Sequence, residues 1–457
     1  MSIRAISSMG LLAITVAAGG AGAQQLARLA ADDGAGGDRF GCAVAVLGER
    51  GLVGAHRDDD MGATSGSAYL IDISDPANPV EVAKLLPADG FADANFGYSV
   101  ALTGGIGAIG ATGEDSQSSG SVYLFDTTTG AQLARVLPAD AEARNGFGLA
   151  VAIEGSVLLV GSPYTDEFGT SSGSAYLFDV SDPANPVQLA KLLPADGGYG
   201  ELFGYAVAVS GDTVLIGAPS DTENGPFSGS AYLFDISDPA SPVQTSKILP
   251  ADGVEWAQVG RSVAVRGGTA LLGAAGDDDL GPGSGSVYVL DVSDPAQPVQ
   301  TGKLLAADGG PAHHFGLTVA LDGATALVGV IDDDANGLAS GAAYLFDVPT
   351  GAQLAKLLPG DGAPYDDFGT AVALHRGAAL IGAARAGGDG RGPGSAYLFD
   401  AGGCAPDLTG DGAADSRDVI AFLRLWASAD AGADWNGDGA VNTADVTAFL
   451  NEWAGGC

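Results

Sequence analysis

Residues 203–249 read FGYAVAVSGDTVLIGAPSDTENGPFSGSAYLFDISDPASPVQTSKIL, and variants of this stretch recur along the chain. Each copy opens on Phe-Gly or Val-Gly, continues with a valine-rich run and later contains a word of Ala-Tyr-Leu-Phe-Asp type. This period is too long for a helical solenoid and suits one four-stranded blade per copy. We therefore predict an all-β, seven-bladed β-propeller. The copies begin 51 to 56 residues apart, at Phe40, Phe96, Phe147, Phe203, Val259, Phe315 and Phe368.

Four strand-like runs lie within the quoted copy, at residues 203–209, 213–217, 230–236 and 243–249. Alternating apolar and polar residues, with Gly and Pro turns between the runs, support this prediction. The fourth run follows the first six copies but is missing after the seventh, where Asp400 leads directly into Ala-Gly-Gly. A displaced copy, Gln-Leu-Ala-Arg-Leu, stands at residues 25–29. We expect this N-terminal strand to complete the last blade and close the ring.

The chain of 457 residues is strongly acidic, with 19 Lys and Arg against 56 Asp and Glu and a formal net charge of -37. This charge disfavours nucleic acid and anionic membrane surfaces as partners and favours cations and basic ligands. Alternatively, the acidity only keeps an exported protein soluble. We predict no membrane insertion, because the apolar run at residues 9–18 is too short to span a bilayer. We expect a monomer.

The first 23 residues have the pattern of an export signal. Arg4 precedes the apolar run, and the small residues 21–23 fit cleavage after Ala23. We therefore predict a secreted or cell-surface protein whose cysteines meet an oxidising environment. Cys404 and Cys457 bracket the last 54 residues and are predicted to form a disulfide, whereas Cys42 is predicted to be a buried, inert thiol.

The repeats resemble the FG-GAP repeats of integrin-α-type β-propellers, in a shorter bacterial form. The two name-giving words are present as Phe203-Gly204 and Gly217-Ala218-Pro219, and the resemblance covers residues 24–400. In the integrin form, a calcium cage of Asp-x-Asp-x-Asp-Gly type lies between the two words. Tight turns such as Ser210-Gly211-Asp212 take that place here. The resemblance therefore implies the architecture and not the cage.

Carboxylates concentrate in the loops that a propeller of this kind places on one face. These are the loops between the second and third strands of a blade and the loops between blades. Clustered carboxylates in glycine-rich loops are the ligands that hard cations require. Alternatively, they are solvated loop charges. The best candidates for calcium sites in the propeller are Asp277, Asp278, Asp279, Asp332, Asp333 and Asp334.

The last 54 residues contain two stretches with the spacing of a twelve-residue calcium loop, beginning at Asp407 and Asp434. Oxygen ligands at alternate positions wrap the ion, and glycine at position six permits the sharp turn. Each loop leads into an amphipathic helix, predicted over 419–426 and 446–453, and tryptophans are predicted to form the small core. The two alanines among the predicted ligands act through their backbone carbonyls. The predicted ligands are Asp407, Thr409, Asp411, Ala413, Asp415 and Asp418, then Asp434, Asn436, Asp438, Ala440, Asn442 and Asp445.

Two such loops with following helices resemble a type I dockerin module, a small α-helical, EF-hand-like domain. The resemblance implies calcium as cofactor and a cohesin-like docking partner. Thr409 departs from the usual Asp or Asn at position three, which makes the first site the weaker one. Alternatively, the module is a structural domain stapled by calcium. The partner-selecting positions are Ser416, Arg417, Thr443 and Ala444, which differ from the matched pairs of cellulosomal dockerins.

Catalysis has little support in the sequence, because it contains no nucleophile elbow, metalloprotease helix or phosphate loop. Acidic pairs recur in every blade, which argues against a single acid/base pair. We predict a signal peptide over 1–23, a propeller over 24–400, a linker over 401–403 and a dockerin-like domain over 404–457. The predicted function is an exported, non-catalytic interaction or adhesion protein that binds a protein or glycan on its acidic face and docks to a partner through its C-terminal module. The alternative is a secreted carbohydrate-active enzyme or its accessory binding subunit.

Overall fold

The structure is a computed structural model that describes residues 23–113, 119–141, 144–388, 390–402, 416–427, 433, 435 and 440–455. Within these residues, twenty-eight strands form seven antiparallel sheets of four strands each, and two helices follow. Each sheet is one blade. The predicted seven-bladed, all-β propeller is confirmed.

The strands are numbered in chain order, and the first strand of each blade is its innermost. Blade one comprises β2 (Ala43–Leu47), β3 (Arg50–Ala55), β4 (Ser67–Asp72) and β5 (Val80–Leu85). Blade two comprises β6 (Phe96–Thr103), β7 (Ile106–Ala111), β8 (Ser121–Asp126) and β9 (Gln132–Val136). Blade three comprises β10 (Ala150–Glu154), β11 (Val157–Ser162), β12 (Ser174–Asp179) and β13 (Val187–Leu192). Blade four comprises β14 (Ala206–Ser210), β15 (Thr213–Ala218), β16 (Ser230–Asp235) and β17 (Val243–Ile248). Blade five comprises β18 (Val259–Arg266), β19 (Thr269–Ala274), β20 (Ser286–Asp291) and β21 (Val299–Leu304). Blade six comprises β22 (Thr318–Asp322), β23 (Thr325–Val330), β24 (Ala342–Asp347) and β25 (Ala352–Leu357). Blade seven comprises β26 (Phe368–His375), β27 (Ala378–Ala383), β28 (Ser395–Asp400) and, as its outer strand, β1 (Gln24–Leu29).

The N-terminal strand completes the last blade, as predicted. Strand β1 pairs antiparallel with β28, which places Gln24 opposite Asp400 and Leu29 opposite Ala396. Leu29 is 2% exposed, so this strand contributes to the core as well as to the hydrogen-bond ladder. Since an outer strand missing from one blade would leave β28 unpaired, the displaced fragment removes an open edge at the seam.

The Phe-Gly word joins neighbouring blades. In blade four it lies just before β14, and not within the strand as the alternation predicted. The Phe203 N–H donates to the Ser172 carbonyl of blade three at 3.0 Å. Gly204 has a φ of 88°, a conformation that glycine adopts without strain. The backbone therefore turns toward the preceding blade before the strand begins.

The glycine of the Gly-Ala-Pro word faces the glycine of the next Phe-Gly word. A Cβ on Gly217 would lie 1.9 Å from the Gly260 carbonyl oxygen of blade five, so no larger residue fits. The same approach occurs at the seam, where a Cβ on Gly382 of blade seven would lie 1.8 Å from the Gly41 carbonyl oxygen of blade one. Blades seven and one therefore meet as the other neighbours do, and the ring is closed.

The core is a ring of apolar clusters between neighbouring blades. One cluster joins Leu215 and Leu233 of blade four to Leu272 and Leu290 of blade five. In blade four the buried Phe203 ring packs edge-on against Tyr232, with centroids 5.3 Å apart. Such aromatic pairs add to the free energy gained from burial. Edge-on Phe–Tyr pairs recur in blades one, two, three, six and seven.

Two helices lie near the C-terminus, α1 (Ser416–Ala427) and α2 (Thr443–Gly455), each slightly longer than predicted. Phe422 stacks on Phe449 with centroids 4.2 Å apart, and Trp435 packs edge-on against both rings. Of the predicted tryptophan core, Trp435 is buried, whereas Trp426 and Trp453 are only partly buried. Two helices alone do not establish an EF-hand-like domain, so the dockerin-like module and the domain boundaries stay predictions.

Candidate functional site

One face of the propeller carries the acidic loops. We call it the acidic face and define it by the loops between the second and third strands of each blade together with the loops between blades. In blade one, Lys84 of β5 contacts Asp58 and Asp60 from the first kind of loop and Asp33 from the second kind, at 2.6 to 2.8 Å. The two kinds of loop therefore meet, as the meander of strands predicts.

A recurring polar cluster organises this face, and blade four shows it most completely. The Asp221 carboxylate is 1% exposed and lies 2.8 Å from Lys247 Nζ. It also accepts hydrogen bonds from Ser230 Oγ at 2.8 Å and from Tyr232 OH at 3.3 Å. Asp196, from the preceding inter-blade loop, lies 2.6 Å from the same ammonium. A buried charge is tolerated where it is paired and hydrogen-bonded in this way.

The pKa shifts agree with this geometry. Burial acts to raise the pKa of Asp221, but the Lys247 ammonium, the Glu223 N–H and the Ser230 hydroxyl outweigh it, so the pKa lies below its ordinary value. Burial, followed by the charge of Asp221, raises the pKa of Tyr232, so the phenol remains a hydrogen-bond donor at neutral pH. The cluster is therefore a carboxylate surrounded by four donors, which are one backbone N–H, two hydroxyls and one ammonium.

The basic residue of the cluster occurs on the outer strand of every blade. It lies over the tyrosine ring of its own blade, with 4.7 to 6.0 Å from the charged group to the ring centroid. Reasoning from the sequence did not assign it a role, although its constant position in a chain with few basic residues was a usable signal. These residues are Arg28, Lys84, Arg135, Lys191, Lys247, Lys303 and Lys356.

The structure places the predicted calcium ligands of blade five around a lysine. Asp277 is buried and lies 2.7 Å from Lys303 Nζ, and Asp279 lies 2.6 Å from it. Asp278 is exposed and accepts a hydrogen bond from the Gly283 N–H at 2.7 Å. The ammonium group thus occupies the centre of the carboxylates. Calcium binding here stays a prediction, and this arrangement weighs against it.

The three predicted ligands of blade six do not converge on one point. Asp333 is buried and lies 2.7 Å from Lys356 Nζ. Asp332 instead pairs with His314 at 2.7 Å, and Asp334 accepts a hydrogen bond from the Ala339 N–H at 2.8 Å. Asp33, Asp58 and Asp60 of blade one have carboxylate oxygens within 4.8 Å of one another, a set that sequence reasoning did not select. Lys84 contacts all three.

Part of the second predicted calcium loop lies within the described residues. Asn442 Oδ1 accepts a hydrogen bond from the Ala444 N–H at 2.7 Å, and Asp445 Oδ2 accepts one from the Asn442 N–H at 2.7 Å. This reciprocal pair is a capping box at the start of α2. The buried Asp445 also accepts a hydrogen bond from the Trp435 N–H at 2.8 Å, and Ala440 O accepts one from Asn442 Nδ2. The pattern at these positions therefore serves helix capping as well as the proposed calcium loop.

Of the other residues predicted to bind calcium or a partner in the C-terminal module, some lie within the described residues and others do not. Asp418 is fully buried within the first turn of α1. Ser416 and Arg417 begin α1, and Thr443 and Ala444 are exposed at the start of α2. The other predicted ligands and both cysteines of the predicted disulfide lie outside the described residues. They are Asp407, Thr409, Asp411, Ala413, Asp415, Asp434, Asn436, Asp438, Cys404 and Cys457.

The third cysteine, Cys42, lies within the described residues and is only partly exposed, whereas a buried thiol was predicted. Cys42 is a free thiol whose Sγ donates to the Gly97 carbonyl at 3.5 Å. Burial raises the pKa of this thiol to about 11, which keeps it protonated at neutral pH. Since the thiolate is the reactive form, this shift disfavours reaction at Cys42.

The seven equivalent blades, closed by an N-terminal strand, define a β-propeller of the repeat-built class. The FG-GAP repeat matches this chain seven times, and each match spans the outer strand of one blade and the three inner strands of the next. The chain belongs to the FG-GAP repeat family. Such propellers are typically non-catalytic and of a protein-interaction or adhesion type. The matched residues are 23–71, 79–125, 131–178, 186–234, 242–290, 298–346 and 352–399.

Blade one also matches a second kind of repeat. An LVIVD repeat is matched at residues 65–86, within blade one. No curated protein matches the chain. Among the described residues, neither helix has the length and apolar character needed to cross a membrane.

Proposed function

We propose that the chain is an exported, non-catalytic interaction protein that binds a protein or glycan on the acidic face. The observation that carries this proposal is a group of exposed aromatic side chains on that face. Phe227 stacks on Trp256 with centroids 4.8 Å apart, and the two are 41% and 55% exposed. Phe168 and Tyr199, from the corresponding loops of blade three, are 45% and 77% exposed. Exposed tryptophan and tyrosine are the side chains that most often dominate the energy of an interface.

The surroundings of these aromatic residues support a binding role. The buried aspartates of the polar clusters are paired with lysine, which suits a scaffold. Exposed carboxylates also lie on this face, such as Glu223, which is 55% exposed although it contacts Lys247 at 2.8 Å. Aromatic surface beside hydrogen-bond acceptors suits the apolar face and hydroxyl groups of a sugar, or a basic peptide segment. Export is supported by the pattern of residues 1–23, which lie outside the described residues except for Ala23.

A binding experiment with matched variants tests this proposal. The full chain is applied to an oligosaccharide array and to an array of cationic peptides, and the best ligand is titrated by calorimetry. Trp256→Ala should weaken its binding about 30-fold, the effect of losing about 2 kcal/mol at a dominant contact. Val243→Ala is the control, because Val243 is 60% exposed on the opposite face. Equal affinities of both variants, or no ligand on either array, would contradict the proposal.

We also propose that the C-terminal module binds calcium and docks to a second, cohesin-like partner. The loop pattern beginning at Asp434 and the amphipathic helices support this proposal. The Asp434→Ala/Asp438→Ala double variant should lose the calcium-dependent change in tryptophan fluorescence, because three of the four tryptophans lie in this segment. Asp430→Ala, between the two loops, should keep it. A calcium titration that is the same for all three proteins would refute calcium binding.

A further inference from the structure

Two positions on the acidic face form a pair of an acid and a base in blades six and seven. The first is the residue before the Phe-Gly word, and the second follows the second strand of the blade by two residues. Blade seven has Asp367 and Arg385 there, with the carboxylate 3.0 Å from the guanidinium group. Blade six has His314 and Asp332, 2.7 Å apart. The backbone therefore brings the side chains at these two positions together.

Blade one has two arginines at these positions, Arg39 and Arg57. The Arg57 N–H donates to the carbonyl of Asp38, the residue before Arg39, at 3.1 Å. Arg385 is bonded in the same way, at 3.2 Å, to the residue before Asp367. Arg39 and Asp367 also share a left-handed backbone, with φ of 62° and 56°. Blade one thus keeps the backbone of blade seven but has two positive charges in place of an ion pair.

The two guanidinium groups lie near a third and have no acid of their own. Burial, followed by the charges of Arg57 and Arg385, lowers the pKa of Arg39. Asp367 offsets part of this effect, but its carboxylate is already paired with Arg385. Within the described residues, the side chains of Arg39 and Arg57 form no ion pair and no hydrogen bond. Like charges gathered in this way repel one another, which favours an anion beside them.

The carboxylates that are close to these arginines in the sequence bind other groups. Asp38 and Asp59 accept hydrogen bonds from backbone N–H groups of their own loops, at 2.6 and 2.7 Å. Asp58 lies 2.8 Å from Lys84 Nζ, within the polar cluster of blade one. The acidic loops of this blade therefore do not supply the missing partner.

The arginine pair lies at the entrance of the central channel. Arg39 precedes β2, and the innermost strands of the seven blades surround the channel. Tyrosines of other blades meet at the same entrance, since burial, followed by the neighbouring Tyr205 and Tyr164 phenols, raises the pKa of Tyr98 to about 12. The Tyr98 ring lies 5.3 Å from the imidazole of His56. Guanidinium and phenol groups at one entrance offer hydrogen-bond donors to an anion.

We propose that Arg39 and Arg57 bind an oxyanion of a ligand at the entrance of the central channel. Planar guanidinium groups bind phosphate, sulfate and carboxylate through two parallel hydrogen bonds. The oxyanion takes the part that the Asp367 carboxylate has toward Arg385. The site is a local exception on a face that is otherwise acidic, and it does not depend on the binding proposed for the exposed aromatic residues.

Sulfate is the simplest probe of the site. The full chain is dialysed to equilibrium against radiolabelled sulfate at constant ionic strength, and bound sulfate is counted. We expect saturable binding, which Arg57→Gln should weaken about tenfold or more through the loss of charge-assisted hydrogen bonds. Arg144→Gln is the control, because it removes the same charge from an exposed loop of the same face and should bind as the parent protein does. No saturable binding, or equal weakening in both variants, would overturn the proposal.

Two variants of Arg39 make the result specific. Arg39→Asp gives blade one the pair of blade seven, and aspartate tolerates the left-handed backbone at this position better than arginine does. This variant should therefore raise the thermal midpoint without ligand and abolish sulfate binding. Arg39→Gln removes the charge without adding an acid and should also lose sulfate. Sulfate binding that persists in Arg39→Gln, or a lower midpoint for Arg39→Asp, would contradict the assignment.

Competition identifies the oxyanion that the site prefers. Glucose 6-sulfate, glucose 6-phosphate and glucuronate present a sulfate, a phosphate and a carboxylate on the same kind of sugar. The compound that displaces labelled sulfate at the lowest concentration identifies the class, and displacement by any of them supports the site. Failure of all three to displace sulfate would show that only free ions enter and would overturn its role in ligand binding.

Discussion

At the scale of single residues, Asp277 and Lys303 show what the acidic loops do. The sequence indicated that clustered carboxylates would gather on one face, which the structure confirms for the described loops. Reasoning from the sequence did not predict that a lysine of the outer strand would lie among them, because Lys303 and Asp252 are 51 positions apart. Residues that far apart in the sequence become neighbours only when the blade folds. Counting the charges of each loop separately therefore did not reveal these ion pairs.

Removal of the buried carboxylate should be far more costly than removal of its exposed neighbour. Asp277→Ala leaves Lys303 and two hydroxyls without their shared acceptor, and we expect a loss of about 3–5 kcal/mol in the free energy of unfolding. Asp278→Ala should cost less than about 1 kcal/mol, since this side chain is exposed. Urea denaturation with and without excess calcium measures both. Equal losses, or a calcium-dependent stabilisation that Asp277→Ala abolishes, would favour the calcium site predicted from the sequence.

The partly buried His56 should make the fold sensitive to mild acid. Burial, followed by the charges of Arg39 and Arg57, lowers the pKa of His56 to about 4. In the unfolded chain histidine binds its proton near pH 6.5. The contribution of the neutral imidazole is therefore complete above about pH 6.5 and is lost as the pH falls toward 4. We expect the urea midpoint to fall between about pH 7 and pH 4.5, and to fall less in His56→Phe, which keeps a ring beside Tyr98. Identical pH profiles would contradict this.

At the scale of elements, the sequence pattern predicts which segments form strands, but it does not predict where each strand begins and ends. The alternation over β14–β17 predicts all four strands of blade four, and the repeated fourth run predicts the role of β1. The alternation also placed Phe203 inside a strand, whereas its N–H bonds to blade three. Since periodicity reports which face a residue occupies and not which blade it pairs with, this inter-blade contact could not be derived from the pattern. The same limit applies to Asn442 and Asp445, which fit both a calcium loop and a capping box.

Because β1 is equivalent to the other outer strands, the same substitution in β1 and in another outer strand should destabilise the protein by similar amounts. Leu29 in β1 and Leu85 in β5 occupy the same position in their blades, and both are 2% exposed. We expect Leu29→Ala and Leu85→Ala to lower the free energy of unfolding by similar amounts, about 2–4 kcal/mol each. Guanidinium denaturation measures both. A neutral Leu29→Ala beside a costly Leu85→Ala would mean that β1 does not belong to the core.

At the scale of the whole molecule, seven similar blades give a closed ring, and the polar clusters differ from blade to blade. The repeat and its displaced N-terminal fragment predicted the ring, its closure and the acidic face. Thr165 of blade three stands eleven positions before Tyr176, as Asp221 of blade four stands before Tyr232. This difference was not recognised from the sequence, because its meaning depends on the hydroxyls that donate to Asp221. Comparison of equivalent positions in three dimensions, and not composition, therefore shows where one blade departs from the others.

Amide hydrogen exchange tests the closed ring most directly. The measurement compares the segment 24–34, containing β1 and the following loop, with the segment 187–197, containing β13 and its following loop. If β1 is the outer strand of blade seven, both segments should show the same protection, because their strands pair with equivalent third strands. Rapid and complete exchange of 24–34 while 187–197 stays protected would contradict the closed propeller.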